Sequence, residues 1–308
     1  MRPHSKTSWT SRGWGGFWWT RWIPVDKLTS VSCREGFVPE LATVYRIRTH
    51  CPLRLAYVGE SGNLAVRVMG NWYLAGDTDS SSASGDAALQ HVHRWLERTG
   101  DDSCEISWVL QCPRWSNGLR DKQERRACER YFTWLYRLET GRSAFANHGR
   151  ATRGGNRRID YDEEQGDEHW RWRPDPIRPS RRPLLDEGLP PYATGWMNGS
   201  WTPLMSHREI KRGGWYQEVP QFRLERLNPG IYKVLDPALN QVLQVGYRSK
   251  MRKGILRVLR EVPGQPVAAW WALPEGTFEY QCRELADDIV GACYARYGRA
   301  LRHGFPDS

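Results

Sequence analysis

The first half of the chain contains short β-favouring runs that predict a small sheet. Residues 42–48 and 54–59 are two such runs, and the intervening His50-Cys51-Pro52 is typical of a turn. Residues 104–110 alternate between apolar and polar positions, as a half-buried strand does. The pattern therefore predicts a β-hairpin followed, much later, by a third strand.

Helical spacing of apolar residues follows these strands. A short helix is predicted after Gly62, with Arg67 beside its apolar face, and another after Asp86, a candidate N-cap. The longest helix is predicted from Leu119 to Thr140, because glycine at 141 is common just beyond a helix end. Its apolar face consists of Ala127, Tyr131, Trp134, Leu135 and Leu138.

The hairpin pattern occurs a second time, 187 residues further along the chain. Tyr45 matches Tyr232 and Gly59 matches Gly246, so the same offset holds at two positions. Such self-similarity indicates an internal repeat. We therefore predict an α/β (α+β) fold made of two modules, each a small mixed sheet with flanking helices.

The match extends upstream and downstream of the hairpins. A Trp-rich lead-in precedes each of them, and residues 18–25 resemble residues 196–204, with Trp22 matched to Trp201 as a packing residue. A charged helix follows each hairpin and ends near Asn147-His148-Gly149 in the first copy and Arg302-His303-Gly304 in the second.

Three segments follow from this repeat. Residues 1–150 form the first module and residues 196–308 the second. Residues 151–195 are rich in Arg, Pro and acidic side chains, too polar for a core, and are expected to be a linker.

Composition narrows the classes of function. The 308 residues include no apolar run near the ~20 that a membrane helix needs. The N-terminus lacks the apolar core of a signal peptide, so we expect a cytoplasmic protein. Seven scattered cysteines without a CxxC pair fit neither a disulfide framework nor a zinc module. The net charge of +10 favours a polyanionic partner but is also compatible with a basic enzyme.

Four side chains of the first module cover the chemistry of phosphodiester hydrolysis. That reaction needs a positioned water, a cation for the developing charge and a carboxylate for a divalent metal. Tyr45 and Tyr57 lie on the two arms of the hairpin, Arg67 on the next helix and Glu129 on the long helix.

These residues, in this order, resemble the GIY-YIG nuclease family, in bacterial members of restriction type. The resemblance covers about residues 18–150 and, more weakly, 196–308. It rests on Val44-Tyr45, Tyr57-Val58-Gly59, Arg67, Glu129 and Asn147. The first copy departs from the family by having Thr43-Val44-Tyr45 in place of Gly-Ile-Tyr, which we expect to be tolerated because the Tyr hydroxyl carries the chemistry.

The resemblance implies a role for each matching residue. Tyr45 and Tyr57 would lie by the attacking water, with Tyr45 the better candidate for taking its proton. Arg67 would hold the scissile phosphate, and Glu129 would bind one Mg²⁺ or Mn²⁺. Asn147 would position the site or the DNA backbone.

Other residues offer alternatives to these roles. Glu124 is the alternative metal ligand, and either His91 or His93 is a candidate general base. His148 is compatible with a functional or a structural role.

The second copy departs from the pattern. Gln244 stands where Tyr57 does and Gly254 where Arg67 does, although Arg252, Lys253 or Arg257 could compensate. We expect that this copy has lost cleavage and serves in DNA binding, pairing or specificity. The counterpart of Glu129 is expected to be Glu284 or Asp287.

Basic and aromatic residues of the second half are candidates for nucleic-acid contacts. The candidate DNA-binding residues are Lys211, Arg212, Arg248, Lys250, Arg252 and Lys253. The pairs Trp170/Trp172 and Trp270/Trp271 are candidates for base stacking.

We therefore expect a metal-dependent DNA endonuclease that acts in restriction or in defence against foreign DNA. Its partner would be double-stranded DNA, with a homodimer as one route to double-strand cleavage. The alternatives are a non-cleaving protein that recognises a sequence or a modified base, and a Trp-lined sugar or nucleotide pocket.

Overall fold

The structure is a computed structural model. It describes residues 7–25, 28, 38–50, 53–68, 92, 104–111, 118–148, 181–212, 230–248, 251–274, 277 and 279–303. The first half contains β1 (Trp18–Trp19), β2 (Ile23–Pro24), β3 (Thr43–His50), β4 (Leu53–Ser61), α1 (Leu64–Val68), β5 (Cys104–Gln111) and α2 (Lys122–Thr140). The second half contains β6 (Met205–Ser206), α3 (His207–Arg212), β7 (Gly230–Asp236), β8 (Gln241–Arg248), α4 (Met251–Glu261), β9 (Val267–Ala272) and α5 (Glu279–Tyr297).

The α+β class is confirmed, but the sheets are antiparallel rather than mixed. The strand order is β1-β5-β3-β4 in the first sheet, with β2 also on β5, and β6-β9-β7-β8 in the second. Every strand pair in these orders is antiparallel. β4 and β5 run in the same direction but β3 lies between them, so no parallel pair forms.

The long helix ends where the sequence indicated but begins at Lys122 rather than at Leu119, and the helix expected after Asp86 lies, apart from Val92, outside the described residues. Asp121 caps α2, since its Oδ1 accepts the N–H groups of Gln123 at 2.8 Å and Glu124 at 2.9 Å. Gly141 ends the helix in the left-handed region, with φ of 69°. At the start of α1, the Oδ1 of Asn63 accepts the N–H of Val66 at 3.1 Å.

The two hairpins repeat each other in register. Tyr45 lies opposite Gly59, and Tyr232 lies opposite Gly246. An irregularity follows Ile47 in one hairpin and its counterpart in the other. These matches are the 187-residue offset seen in the sequence.

The long helices repeat with a different offset, 157 residues, which corrects the expected downstream match. Gly298 ends α5 with a φ of 70°, as Gly141 ends α2. Beyond the helices, the N–H of Ala146 donates to β4 and the N–H of His303 donates to the matching position of β8. His303 therefore takes the place of Ala146, not of His148.

The Trp-rich lead-in also aligns differently from the expectation, because Trp201 corresponds to Trp19 and not to Trp22. The indole N–H of Trp19 donates to the carbonyl of Trp14 at 3.1 Å, and that of Trp201 donates to the carbonyl of Trp196 at 2.8 Å. In both copies the threonine after the second Trp forms hydrogen bonds to a strand of the sheet, Thr20 to Trp108 of β5 and Thr202 to Trp270 of β9. A shared tight turn, rather than the density of Trp, sets the correspondence.

Each lead-in encloses a buried cation on the first strand of the hairpin. The Arg46 guanidinium lies 4.2 Å from the ring centroid of Trp19 and 4.4 Å from that of Trp22. Lys233, at the equivalent position, has its Nζ 4.3 Å from the ring centroid of Trp201. Cation–π contacts of this kind favour the charged form of a buried side chain. The Trp residues that enclose these cations are therefore structural.

Helices α2 and α5 pack against each other as an antiparallel pair that joins the two halves. Trp134 faces Gly291, its own counterpart at the 157-residue offset, so a pseudo-twofold axis passes between them. A Cβ on Gly291 would come within 2.7 Å of the Arg130 carbonyl oxygen. The close approach of the helices therefore requires a glycine here.

A buried ion pair crosses the same interface. The Arg137 guanidinium donates to the two carboxylate oxygens of Asp288 at 2.8 and 3.1 Å, and both side chains are fully buried. Leu184, in the expected linker, donates its N–H to Asp288 at 3.0 Å and lies in the shared core. The segment from residue 181 onward thus packs against both long helices.

Among the described residues, no helix is long and apolar enough to cross a membrane. Among the described cysteines, Cys104, Cys128, Cys282 and Cys293 are buried thiols that form no disulfide.

Candidate functional site

Tyr45, Tyr57 and Gly59 lie together on one face of the first hairpin. The two tyrosine rings have centroids 5.9 Å apart. A Cβ on Gly59 would lie 2.8 Å from the Tyr45 hydroxyl oxygen and would also clash with the Tyr57 ring. The glycine therefore makes the space that the paired rings occupy.

The two tyrosines differ in exposure. Tyr45 is 1% exposed and belongs to the core between the sheet and α1, whereas Tyr57 is half-buried. Tyr57 is therefore the more accessible hydroxyl-bearing residue of the pair.

Arg67 and Glu129 come from the two helices next to this hairpin. Arg67 is half-buried in the last turn of α1, the helix that begins three residues after β4 ends. Glu129 is half-buried in the middle of α2, and α2 packs against β4. Connectivity and packing thus put both residues on elements that adjoin the strand of Tyr57.

Asn147 is fixed to the edge of β4. Its side-chain Oδ1 accepts the N–H of Val58 at 2.8 Å, and its Nδ2 donates to the carbonyl of Val58 at 2.7 Å. Because β4 is the outer strand of its sheet, these backbone groups face away from β3. Asn147 therefore holds the strand segment between Tyr57 and Gly59.

The alternative metal ligand, Glu124, has another structural engagement. Both of its carboxylate oxygens accept the N–H of Ala300 at 3.0 Å, just beyond the end of α5. Burial raises the pKa of Glu124, and this hydrogen bond offsets part of that effect. Through this hydrogen bond the Glu124 carboxylate links the two modules.

His148, left open by the sequence, joins the two halves. Its Nδ1 lies 2.8 Å from the Oδ2 of Asp287 on α5, and the Nε of Arg130 donates to the Oδ1 of the same carboxylate at 2.8 Å. Burial alone raises the pKa of Asp287, but the charges and hydrogen bonds of Arg130 and His148 hold it below its ordinary value.

The expected counterparts of Glu129 in the second module are wrong. At the helix offset of 157 residues, Ala286 takes that position. Glu284 is fully buried and accepts the Ser143 hydroxyl at 2.7 Å, and Asp287 binds Arg130. Both carboxylates therefore belong to the interface between the modules.

The second hairpin lacks the polar pair of the first. Tyr232 and Gly246 repeat the arrangement of Tyr45 and Gly59, but Gln244 replaces Tyr57 and is buried. Arg257 on α4, a candidate substitute for Arg67, is exposed and donates to Glu261 at 2.8 Å.

The candidate DNA-binding residues are only partly described. Lys211 and Arg212 are exposed at the end of α3. The backbone of Arg248 ends β8, and that of Arg252 and Lys253 lies in α4. Lys250, like His91 and His93, lies outside the described residues.

The described Trp residues of the second half serve mainly in packing. Trp270 is 1% exposed, and the ring of Trp271 makes an edge contact with Trp201 at 6.1 Å. The expectation that this pair stacks on bases is therefore wrong for Trp270. Trp170 and Trp172 lie outside the described residues.

Sequence reasoning missed the caged cations and the carboxylates between the modules. A signal for the former was available, since Arg46 and Lys233 are cations within predicted strands at the same 187-residue offset. For the latter there was none, because pairing between α2 and α5 is a tertiary property.

Comparisons with protein-family models, curated proteins and solved structures gave no match to this chain.

Proposed function

We propose that the protein is a metal-dependent DNA endonuclease of the GIY-YIG type, with its active site in the first module. The observation that carries the proposal is the hairpin face on which Gly59 makes room for the paired rings of Tyr45 and Tyr57. Arg67 and Glu129 lie on the helices that adjoin this hairpin.

Exposure assigns different roles to the two tyrosines. The half-buried Tyr57, as the phenolate, would orient the attacking water and accept its proton while the water oxygen bonds to phosphorus and the leaving oxygen departs, whereas the buried Tyr45 supports the Tyr57 ring from below. This assignment reverses the order expected from the sequence. A cation and an arginine near Tyr57 would lower the pKa of a phenol whose reference value is about 10.

Arg67 supplies the positive charge that the reaction needs. As a phosphodiester is attacked, negative charge grows on its non-bridging oxygens, and a guanidinium stabilises that charge through two parallel hydrogen bonds. A contribution of this kind is typically worth about 10²- to 10³-fold in rate.

Glu129 fits a site with one protein carboxylate. Mg²⁺ keeps several waters and commonly binds one or two carboxylates together with phosphate oxygens of the substrate. In the described part of the chain, no three His, Cys, Asp or Glu side chains lie close enough to form a metal cage. The ion would stabilise the phosphate and the leaving oxygen when bound.

The partner we propose is double-stranded DNA, in restriction or defence against foreign DNA. The net charge of +10 supports a polyanion, and the exposed Lys211 and Arg212 on α3 offer phosphate contacts. Because α5 already covers the face of α2, the second module takes the place of a partner subunit.

The test is cleavage of a supercoiled plasmid in Mg²⁺ and in EDTA. Wild type should cleave only with metal, and Arg67→Ala and Glu129→Ala should each lose at least about 100-fold in rate. The matched control is Glu261→Ala, an exposed helical glutamate in the second module that should leave the rate unchanged.

Two results would contradict the proposal. Equal rates for Arg67→Ala, Glu129→Ala and wild type would remove the site assignment. DNA binding that persists in EDTA, without cleavage of any DNA in Mg²⁺ or Mn²⁺, would instead favour a non-cleaving DNA-binding protein.

A further inference from the structure

The backbone at His148 is in a conformation that histidine seldom adopts. Its φ of 60° lies in the left-handed region, where a side chain with a Cβ is strained. Such strain persists only where surrounding contacts hold it, and it occurs often at functional sites. The contacts around His148 therefore show what holds the chain here.

Among the described residues, the one hydrogen-bonding partner of the His148 ring belongs to the second module. The Nδ1 atom pairs with Asp287 at 2.8 Å, and the buried Nε2 has no partner in that part of the chain. The His148 side chain is 1% exposed, so water screens the pair little. Arg130 holds the other oxygen of Asp287 and so fixes the carboxylate.

Asn147, the residue that precedes His148, connects it to the candidate site. Asn147 makes both of its hydrogen bonds to the backbone of Val58, which lies between Tyr57 and Gly59. A shift of His148 would therefore displace the Asn147 amide, and with it the strand edge that sets the position of the Tyr57 ring.

We propose that the second module positions the active site of the first, with Asp287 as the positioning residue that acts through His148 and Asn147. This inference rests on the proposed function. In this role Asp287 would act without touching substrate or metal, by fixing where the edge of β4 lies.

The geometry around Asp287 favours positioning over a purely cohesive role. The modules are already joined by the buried pair of Arg137 and Asp288, in which Asp288 directly follows Asp287 on α5 and Arg137 lies seven residues beyond Arg130 on α2. Asp287 adds a contact to a strained residue at the strand edge. Losing it should therefore disturb the site more than it loosens the interface.

The experiment compares Asp287→Asn with a matched control, Asp186→Asn. Asp186 accepts from Arg296 of α5 at 2.9 Å, and its side chain is about as exposed as that of Asp287. His148→Asn is a second variant, because asparagine tolerates the left-handed backbone that residue 148 requires. All variants are made in the full chain.

The first measurement does not depend on activity. Amide hydrogen exchange by NMR should be at least about tenfold faster at Val58 in Asp287→Asn and His148→Asn than in wild type. Exchange at Val245, the equivalent residue of the second hairpin, should stay unchanged and so exclude general loosening. Asp186→Asn should alter neither amide.

The second measurement is single-turnover and steady-state cleavage of plasmid DNA in Mg²⁺. Asp287→Asn and His148→Asn should each lower kcat by about 10- to 100-fold, as expected for a small misplacement of reacting groups, with KM changed less than about threefold. The double variant should be no slower than the slower single variant, because both act in one chain of contacts.

The outcomes separate the two proposals. If wild type does not cleave, the proposed function fails, and the exchange at Val58 alone decides whether Asp287 holds the strand edge. If wild type cleaves and Asp287→Asn matches Asp186→Asn in kcat or in Val58 exchange, the positioning role is overturned. An equal loss of protection at Val58 and Val245 would also overturn it, since this would indicate general destabilisation.

Discussion

The two modules keep the same backbone but differ in the polar residues around it. Both have a tyrosine opposite a glycine, a cation enclosed by Trp rings and a left-handed glycine after the long helix. Only the first has Tyr57, Arg67 and Glu129, whose counterparts are Gln244, Gly254 and Ala286. Features present in both modules are what the fold requires, and features in one module are the candidates for chemistry.

This comparison changes the reading of the hairpin tyrosines. Tyr45 and Gly59 are repeated in the second module, so their conservation between the copies follows from packing. Tyr57 has no such counterpart. The difference predicts that the two hydroxyl groups contribute unequally to cleavage.

The largest expected effect tests that inequality. Tyr57→Phe should lower kcat by about 10²- to 10⁴-fold, the usual loss when a general base is removed. Tyr45→Phe, which removes the buried hydroxyl and keeps the ring, should change kcat less than tenfold. Single-turnover cleavage measures both, and a greater loss from Tyr45→Phe would return the proton-accepting role to Tyr45.

The next prediction concerns the interface between the modules rather than the candidate active site. Arg137→Ala leaves the buried carboxylates of Asp288 and Glu284 without their cation, and should lower the free energy of unfolding by about 3–5 kcal/mol. Urea denaturation measures the loss. Asp186→Asn, at a partly exposed pair, should cost less than about 1 kcal/mol, and equal losses would refute the importance of burial here.

The enclosed cations predict that the stability of the protein depends on pH. Burial lowers the pKa of Lys233 to about 7, while the indole faces of Trp196 and Trp201 offset part of the cost of its charge. Between about 7 and the ordinary value of 10.5, the unfolded chain binds more protons than the folded one. Stability should therefore rise with pH across this range.

Replacing the lysine should remove this dependence. Lys233→Met should be more stable than wild type at pH 7 by about 1–4 kcal/mol, because an apolar side chain of similar length avoids the buried charge. Thermal unfolding from pH 7 to 10 measures it. Arg46→Met should instead destabilise, since Arg46 donates to the carbonyls of both Trp9 and Ser11, whereas Lys233 donates to the Ala193 carbonyl at a longer 3.3 Å. Stabilisation by Arg46→Met would contradict this account of the two enclosed cations.

For the last substitution we expect no change in cleavage. Gln244→Tyr restores a second tyrosine to the second hairpin but should not create a second cleavage site, because Gly254 and Ala286 supply neither cation nor carboxylate. Addition of this substitution to Arg67→Ala tests it without background from the first module. Recovery of cleavage would show that the second site lacks only its tyrosine.

Local patterns made much of the fold predictable. The hairpins, the strand at residues 104–110 and the helix ending at Gly141 follow from alternation, helical spacing and a terminal glycine, all of which act over a few residues. Whether neighbouring strands run parallel or antiparallel was not predictable in this way, because it depends on the order of the strands in the sheet. Here β3 lies between β4 and β5. The antiparallel result required the tertiary structure.

The correspondence between the copies shows a second limit. Matching Trp22 to Trp201 relied on the density of Trp, whereas the structure aligns a turn in which Trp14 and Trp19 are five residues apart, as are Trp196 and Trp201. That spacing was visible in the sequence. The roles of Asp287 and His148 were not, since two distant segments meet only where α2 and α5 pack.

The most direct test of one active and one supporting module is the order in which plasmid products form. At low protein concentration in Mg²⁺, a chain with one site should convert supercoiled DNA to nicked circles first, with linear DNA following from a second encounter. Direct linearisation without a nicked intermediate, or cleavage that survives Glu129→Ala, would contradict the account.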